Sequence, residues 1–180
     1  MRYVVVGTSG SGKTTFARKF ALALSVPHVE LDELHWAPNW KIRPVSEFLQ
    51  SVEKATVGTS WVVDGNYSAV RGVLWQRATH VIWLNFSRSV VFPRVVWRTL
   101  KRTFLRQQLW HGNRESIRQA FFSHESILLW SFSTYGKNQR KYAKLRESPE
   151  HVHLEWTELR SPSEARKFLA SSARTEQPGG

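Results

Sequence analysis

Gly7-Thr8-Ser9-Gly10-Ser11-Gly12-Lys13-Thr14 completes the pattern G-x-x-x-x-G-K-[ST], and Thr15 follows directly. The run before it, Tyr3-Val4-Val5-Val6, is apolar and β-branched, as a buried parallel strand should be. The run after it, Thr15 to Leu24, carries apolar residues at helical spacing. Strand, glycine-rich turn and helix together form a phosphate-binding device. The turn aims backbone N–H groups at a phosphate chain, and the helix N-terminus adds its positive dipole end. Residues 7–15 are therefore expected to bind a nucleoside triphosphate, with Lys13 reaching the β- and γ-phosphates and the Thr14 hydroxyl on Mg²⁺.

Working outward, the apolar runs recur as strand, helix, strand. His28 to Leu31 reads as a second strand ending at Asp32, Trp61 to Val63 as a third ending at Asp64, and His80 to Phe86 as a fourth. A weaker fifth covers His153 to Leu159. Between the second and third lies a Trp- and Pro-punctuated segment, 33–60, with a helix starting near Ser46 that puts Phe48, Leu49, Val52 and Ala55 on one face. Residues 88–146 are helical and basic, and a last helix over Pro162 to Ala170 precedes a tail, 171–180, expected to be disordered. Alternating strands and helices predict an α/β domain over 1–170, built on a five-stranded parallel sheet covered on both faces.

Composition narrows the functional classes. The 180 residues suit one domain, and no apolar run approaches the ~20 residues of a membrane span. Cysteine is absent, which excludes disulfides and thiolate metal sites. With strand and phosphate loop at its start, the chain is expected to lack a signal peptide and to be cytoplasmic. Lys and Arg number 26 against 14 acids, a net charge of +12, so an anionic partner is expected: a phosphorylated small molecule, with nucleic acid left open. Only two of the acids are aspartate, Asp32 and Asp64, and each follows a predicted strand.

Asp64 has the form of a Walker B strand end beside the phosphate loop, the place for a Mg²⁺ ligand; the competing reading is a plain Asp-Gly turn. Asp32 is a candidate to take the proton of an acceptor hydroxyl, against a helix N-cap or surface role. Trp36 and Trp40 either wall an acceptor pocket or pack the 33–60 segment onto the sheet.

The strand-loop-helix at 3–24, the Asp-bearing second strand, the helical insert and Val63-Asp64-Gly65 resemble the P-loop nucleoside and small-molecule kinases, such as adenylate, shikimate and gluconate kinase. More closely, Leu31-Asp32-Glu33-Leu34-His35-Trp36, Val63-Asp64-Gly65-Asn66-Tyr67-Ser68 and Gly112-Asn113-Arg114-Glu115-Ser116 resemble the adenylate-kinase-like proteins labelled DNA topology modulation (FlaR-type) proteins. The resemblance implies a three-layer P-loop NTPase fold with an acceptor-side insert (33–60) and a lid (94–118). It implies transfer of the γ-phosphate of Mg·ATP to a small nucleotide-like or hydroxyl-bearing acceptor. Monophosphate kinases follow Asp-Gly with Phe-Pro-Arg; here stand Asn66-Tyr67-Ser68, with Arg71 the nearest arginine, which favours a hydroxyl acceptor.

Arg94, Arg98, Arg102 and Arg106 stand four apart in a helical segment. Like charges at that spacing cost a few tenths of a kcal/mol each, so helix stability does not explain them. In the resembled kinases such arginines sit at the base of a lid, making Arg94 and Arg98, with Arg114 and Arg118 on the return helix, candidates to neutralise the transferring phosphoryl group. The competing reading, a solvated basic face, suits Arg102, Arg106 and the Lys137–Arg146 cluster. The label of the resembled proteins carries a second functional expectation, an ATP-dependent nucleic-acid-associated protein without small-molecule kinase activity. No nucleic-acid-binding signature accompanies it.

Overall fold

The computed structural model describes the backbone of residues 1–104, 111 and 127–175. Five strands, β1 (Arg2–Gly7), β2 (His28–Glu30), β3 (Trp61–Asp64), β4 (His80–Leu84) and β5 (Glu155–Leu159), form an all-parallel sheet in the order β2-β3-β1-β4-β5. Among the described residues seven α-helices accompany them: α1 (Lys13–Ala23), α2 (Leu31–His35), α3 (Val45–Ala55), α4 (Ser68–Arg77), α5 (Arg88–Phe104), α6 (Ile127–Glu147) and α7 (Pro162–Thr175).

Central β1 has to be apolar on both faces, and its sequence is. Tyr3 and Val5 join Phe16 and Phe20 of α1, Val91 and Val95 of α5 and Ala165 of α7 in one core. Val4 and Val6 point the other way, into a core with Phe48 and Val52 of α3, Val70 and Leu74 of α4 and Tyr142 of α6. The two-residue period of a strand thus assigns each helix its side. Phe20 sits 4.8 Å edge-on to Tyr3 and 5.5 Å from Phe168. Truncating it to alanine is expected to cost about 3–5 kcal/mol.

The strands are where the pattern places them, but three are shorter. β4 ends at Leu84, where β5 also ends its pairing, and the Asn85 N–H closes the ladder on Leu159. β2 stops at Glu30, so Asp32 lies in the first turn of α2 rather than at a strand terminus. As an edge strand β2 has only β3 to pair with, and three residues exhaust that register. At the other end α7 runs five residues past Ala170. Ser171 and Ser172 turn their hydroxyls back onto the Phe168 carbonyl and let a polar run continue the helix. Among the described residues no helix is long and apolar enough to cross a membrane.

Candidate functional site

At the carboxyl end of the sheet the β1–α1 turn forms a cradle. Gly12 precedes α1 in left-handed conformation (φ 86°), and no side chain caps the helix and no acid sits in its first turn. Those backbone N–H groups are left for a ligand. Gly10 (φ 80°) is pressed against α5, where a Cβ would overlap Val95 and come within 2.8 Å of the Val91 carbonyl. No other residue fits there. Inside the turn, the hydroxyls of Thr8 and Ser11 are buried without a hydrogen-bond partner among the described residues. Lys13 donates to the Thr8 carbonyl at 3.1 Å. Burial lowers its pKa, opposed by the charges of Asp32 and Asp64 and assisted by that of Arg98.

Beside the cradle Asp64 ends β3, 2 % exposed. Its Oδ2 accepts the Thr14 hydroxyl at 2.8 Å, and its Oδ1 lies 2.7 Å from His28 Nε2. Glu30, in register with Asp64 on the neighbouring strand, brings Oε1 to 3.4 Å from the Thr14 hydroxyl. This donor set of hydroxyl and carboxylates fits a hard divalent cation held partly by phosphate oxygens.

The far wall comes from α2 and the start of α4. Tyr67 donates to Asp32 Oδ1 at 2.7 Å and lies against the His35 ring, tilted, at 4.3 Å, with Phe48 edge-on at 5.3 Å. Burial first, then the Asp32 charge, raises the Tyr67 pKa, so the phenol stays a donor. Burial lowers the His35 pKa against the pull of Asp32. Trp36 and Trp40 meet edge to face at 5.4 Å, and a Trp36–Ile42 bridge closes their loop. Trp40 itself has φ 55°, an uncommon conformation for so bulky a residue, which stores strain of order 1–3 kcal/mol beside the cavity. Asn66 binds both backbone groups of Gly7 and accepts the Tyr142 hydroxyl at 2.7 Å, fastening α6 to the root of the phosphate loop.

From α5, Arg98 donates to Ser9 Oγ at 3.0 Å, and the Arg94 guanidinium lies 5.7 Å from the Phe86 ring centre. Both line a cavity of about 1470 Å³, together with the loop, Glu30, Asp32, Trp36, Trp40, Asn66 and Tyr67. Of the rest of the expected lid, His111 Nε2 lies 3.1 Å from the Glu33 carbonyl. The Arg102 side chain and Arg106, Arg114 and Arg118 lie outside the described residues.

No family model matches the chain, and no curated protein matches it in sequence. Among solved structures, a gluconokinase from Sinorhizobium meliloti 1021 superposes with a TM-score of 0.51 at 20 % identity, over 97 % of this chain and 94 % of that one. The fold is that of a P-loop NTPase. That likeness bears on the fold the sequence resemblance implies and not on its FlaR-type refinement.

This P-loop fold brings Gly7 to Thr15, Asp32, Asp64, Arg94 and Arg98 to one end of the sheet. Asp64 and Asp32 are held differently: one is clamped between Thr14 and His28, the other faces the cavity on a tyrosine. Trp36 and Trp40 both line the cavity. Sequence reasoning passed over His28, Glu30 and Tyr142, and assigned no role to Asn66 or Tyr67. A signal existed for the first two: polar residues at i and i+2 of an otherwise apolar strand share one face. None existed for Tyr142, which comes from 76 positions beyond Asn66.

Proposed function

We propose that this protein is a Mg·ATP-dependent phosphotransferase that phosphorylates a small acceptor at a hydroxyl. The observation that carries the reading is one cavity lined by both the phosphate loop and Asp32, whose carboxylate is braced by Tyr67. In this scheme the N–H groups of residues 7–15 and the Lys13 ammonium bind the triphosphate. Thr14 and Asp64 would hold Mg²⁺, with Glu30 behind them, and the cation would offset charge on the β- and γ-phosphate oxygens. Asp32 takes the acceptor hydroxyl proton as the new P–O bond forms at the γ-phosphorus and the bond to the departing ADP breaks. Arg98 and Arg94 face the same cavity and are assigned to the charge on the phosphoryl group in transfer. Trp36 and Trp40 supply flat walls of the kind that receive a sugar or a ring. A cytoplasmic setting, where ATP is abundant, accords with this chemistry.

The test is ADP release measured against a panel of nucleosides, nucleotides, sugars and sugar acids, gluconate included. Release that depends on one acceptor and vanishes in Lys13→Ala supports the proposal. ATP turnover indifferent to every acceptor, with nucleic-acid binding that falls steeply with salt, would instead establish the nucleic-acid reading that the +12 charge suggests.

A further inference from the structure

On the face of the sheet that meets α1, the edge strand carries a residue that packing alone does not call for. Registered residues of parallel strands share a face, and β2 pairs His28 with Val62 and Glu30 with Asp64. Val62 lies in the core with Phe16 and Phe20 of α1, and an apolar neighbour would suit it at position 28. An imidazole stands there instead, its side chain only 16 % exposed. Its Nε2 reaches diagonally across the strands to Asp64 Oδ1, 2.7 Å away. An ionised carboxylate only accepts, which puts the proton of this bond on Nε2.

Asp64 is 2 % exposed, so its oxygens depend on protein donors. Each has one: Thr14 serves Oδ2 at 2.8 Å, and His28 serves Oδ1. The two donors differ in what else they can do. Thr14 gives Asp64 its one hydroxyl proton and keeps its lone pairs for a cation, so it is itself a ligand in the proposed scheme. His28 does not line the cavity and meets it through Asp64. Without the imidazole, Oδ1 would be a buried acceptor lacking that donor. The carboxylate could then turn about its Cβ–Cγ bond, and the oxygen beside Thr14 would no longer be fixed.

We propose that His28 is a positioning residue for the Mg²⁺ site. By binding Oδ1 it fixes the plane of the Asp64 carboxylate and keeps Oδ2 on Thr14, where the two groups are presented to the cation together. It acts on the metal ligand and not on the substrate, as the hydrogen-bonded outer partners of ligating carboxylates do. The inference rests on the metal role given to Asp64 in the proposed function.

The experiment is isothermal titration of the protein with a non-hydrolysable ATP analogue, once with Mg²⁺ and once in EDTA. The ratio of the two affinities isolates the metal's share. His28→Val keeps a strand-forming side chain and removes the donor. It should weaken binding about ten-fold with Mg²⁺ and leave the affinity in EDTA unchanged. His28→Gln puts an amide N–H where Nε2 stood and should restore most of the loss. In an Asp64→Asn background His28→Val should change the ratio no further, because the two residues act in series. A purely structural histidine gives a different pattern, a lower urea midpoint for His28→Val with the parent's Mg²⁺ ratio, and that result overturns the proposal. So does a His28→Gln variant as weak as His28→Val. Should His28→Val not fold, the same comparison is made between His28→Gln and His28→Asn, whose amide is one methylene shorter. An Asp64→Asn variant with the parent's ratio would sink the metal role and this proposal with it. Loss of the ratio in Asp64→Asn but not in His28→Val would sink this proposal alone.

Discussion

The Thr14 hydroxyl and the Asp64 carboxylate share a 2.8 Å hydrogen bond that joins the end of the phosphate loop to the end of β3, across 50 positions of sequence. Both groups are therefore already oriented toward the place where the proposed cation sits. Asp64→Asn should weaken ATP binding measured with Mg²⁺ and leave the metal-free affinity nearly unchanged, because an amide is a poor ligand for a hard cation. Titrations with and without Mg²⁺ decide it: equal losses in both would remove Asp64 from the metal role.

Lys13 gives a prediction about stability as well as activity. Burial holds its pKa below the ordinary lysine value of 10.5. Between the lowered value and 10.5 the unfolded chain keeps a proton that the folded chain has released, so stability rises with pH through that window. Below the window both states are charged and the desolvation penalty is felt in full. Lys13→Met should therefore be at least as stable as the parent in urea melts at pH 7, with a flatter dependence toward pH 10. Its phosphoryl transfer should fall by a factor on the order of 10² or more. A variant that is clearly less stable at pH 7 would contradict the assignment of this ammonium to a ligand.

Tyr67→Phe removes the donor that positions Asp32. The loss of one buried bond should lower stability by about 0.5–1.5 kcal/mol. Turnover should fall while ATP affinity holds, and Asp32→Asn should do the same more severely. If either variant binds ATP as poorly as Asp64→Asn, the two carboxylates do not divide their roles as proposed.

How much of this was legible beforehand depends on how far apart the partners lie. The cradle is a contiguous motif whose residues touch one another, so residues 7–15 could be read directly. Asp64 was visible because it follows an apolar strand at a fixed place in such folds. Asp32 was found for the right side of the sheet but the wrong element, because the pattern does not reveal that an edge strand pairs with only one neighbour. The fastening of Asn66 by Tyr142 joins a loop to a helix through side chains alone, and local spacing carries no trace of it. Trp36 and Trp40 were ambiguous between wall and core; their place on the cavity follows from the Trp36–Ile42 bridge that folds the loop back.

Arg98 tests the arginine stripe. Its Nη2 is on Ser9 within the phosphate loop, so Arg98→Ala should lower kcat by roughly a hundred-fold or more with only a small change in ATP affinity. Single-turnover kinetics beside equilibrium binding would separate the two effects. Unchanged kcat with loss of DNA affinity alone would transfer the residue to a nucleic-acid surface.

Gly10→Ala probes the seam between the loop and α5. The new methyl would meet Val95 and the Val91 carbonyl in a backbone conformation that L-residues rarely adopt. A stability loss of about 1–3 kcal/mol is expected, with nucleotide affinity reduced in parallel. A chemical melt unchanged from the parent would show that α5 is free to move off the loop.

The strand order sets a timetable for the growing chain. β1 is synthesised before both of its neighbours, β3 and β4, which come after residue 60. A nascent chain that has not passed Asp64 therefore holds Val4, Val5 and Val6 without either sheet partner, one that has not passed Leu84 lacks β4, and the Gly10 cradle lacks its backing until Val91 and Val95 emerge. Ribosome-bound chains stalled at residue 60 should be protease-sensitive and prone to self-association, and those stalled beyond α5 much less so.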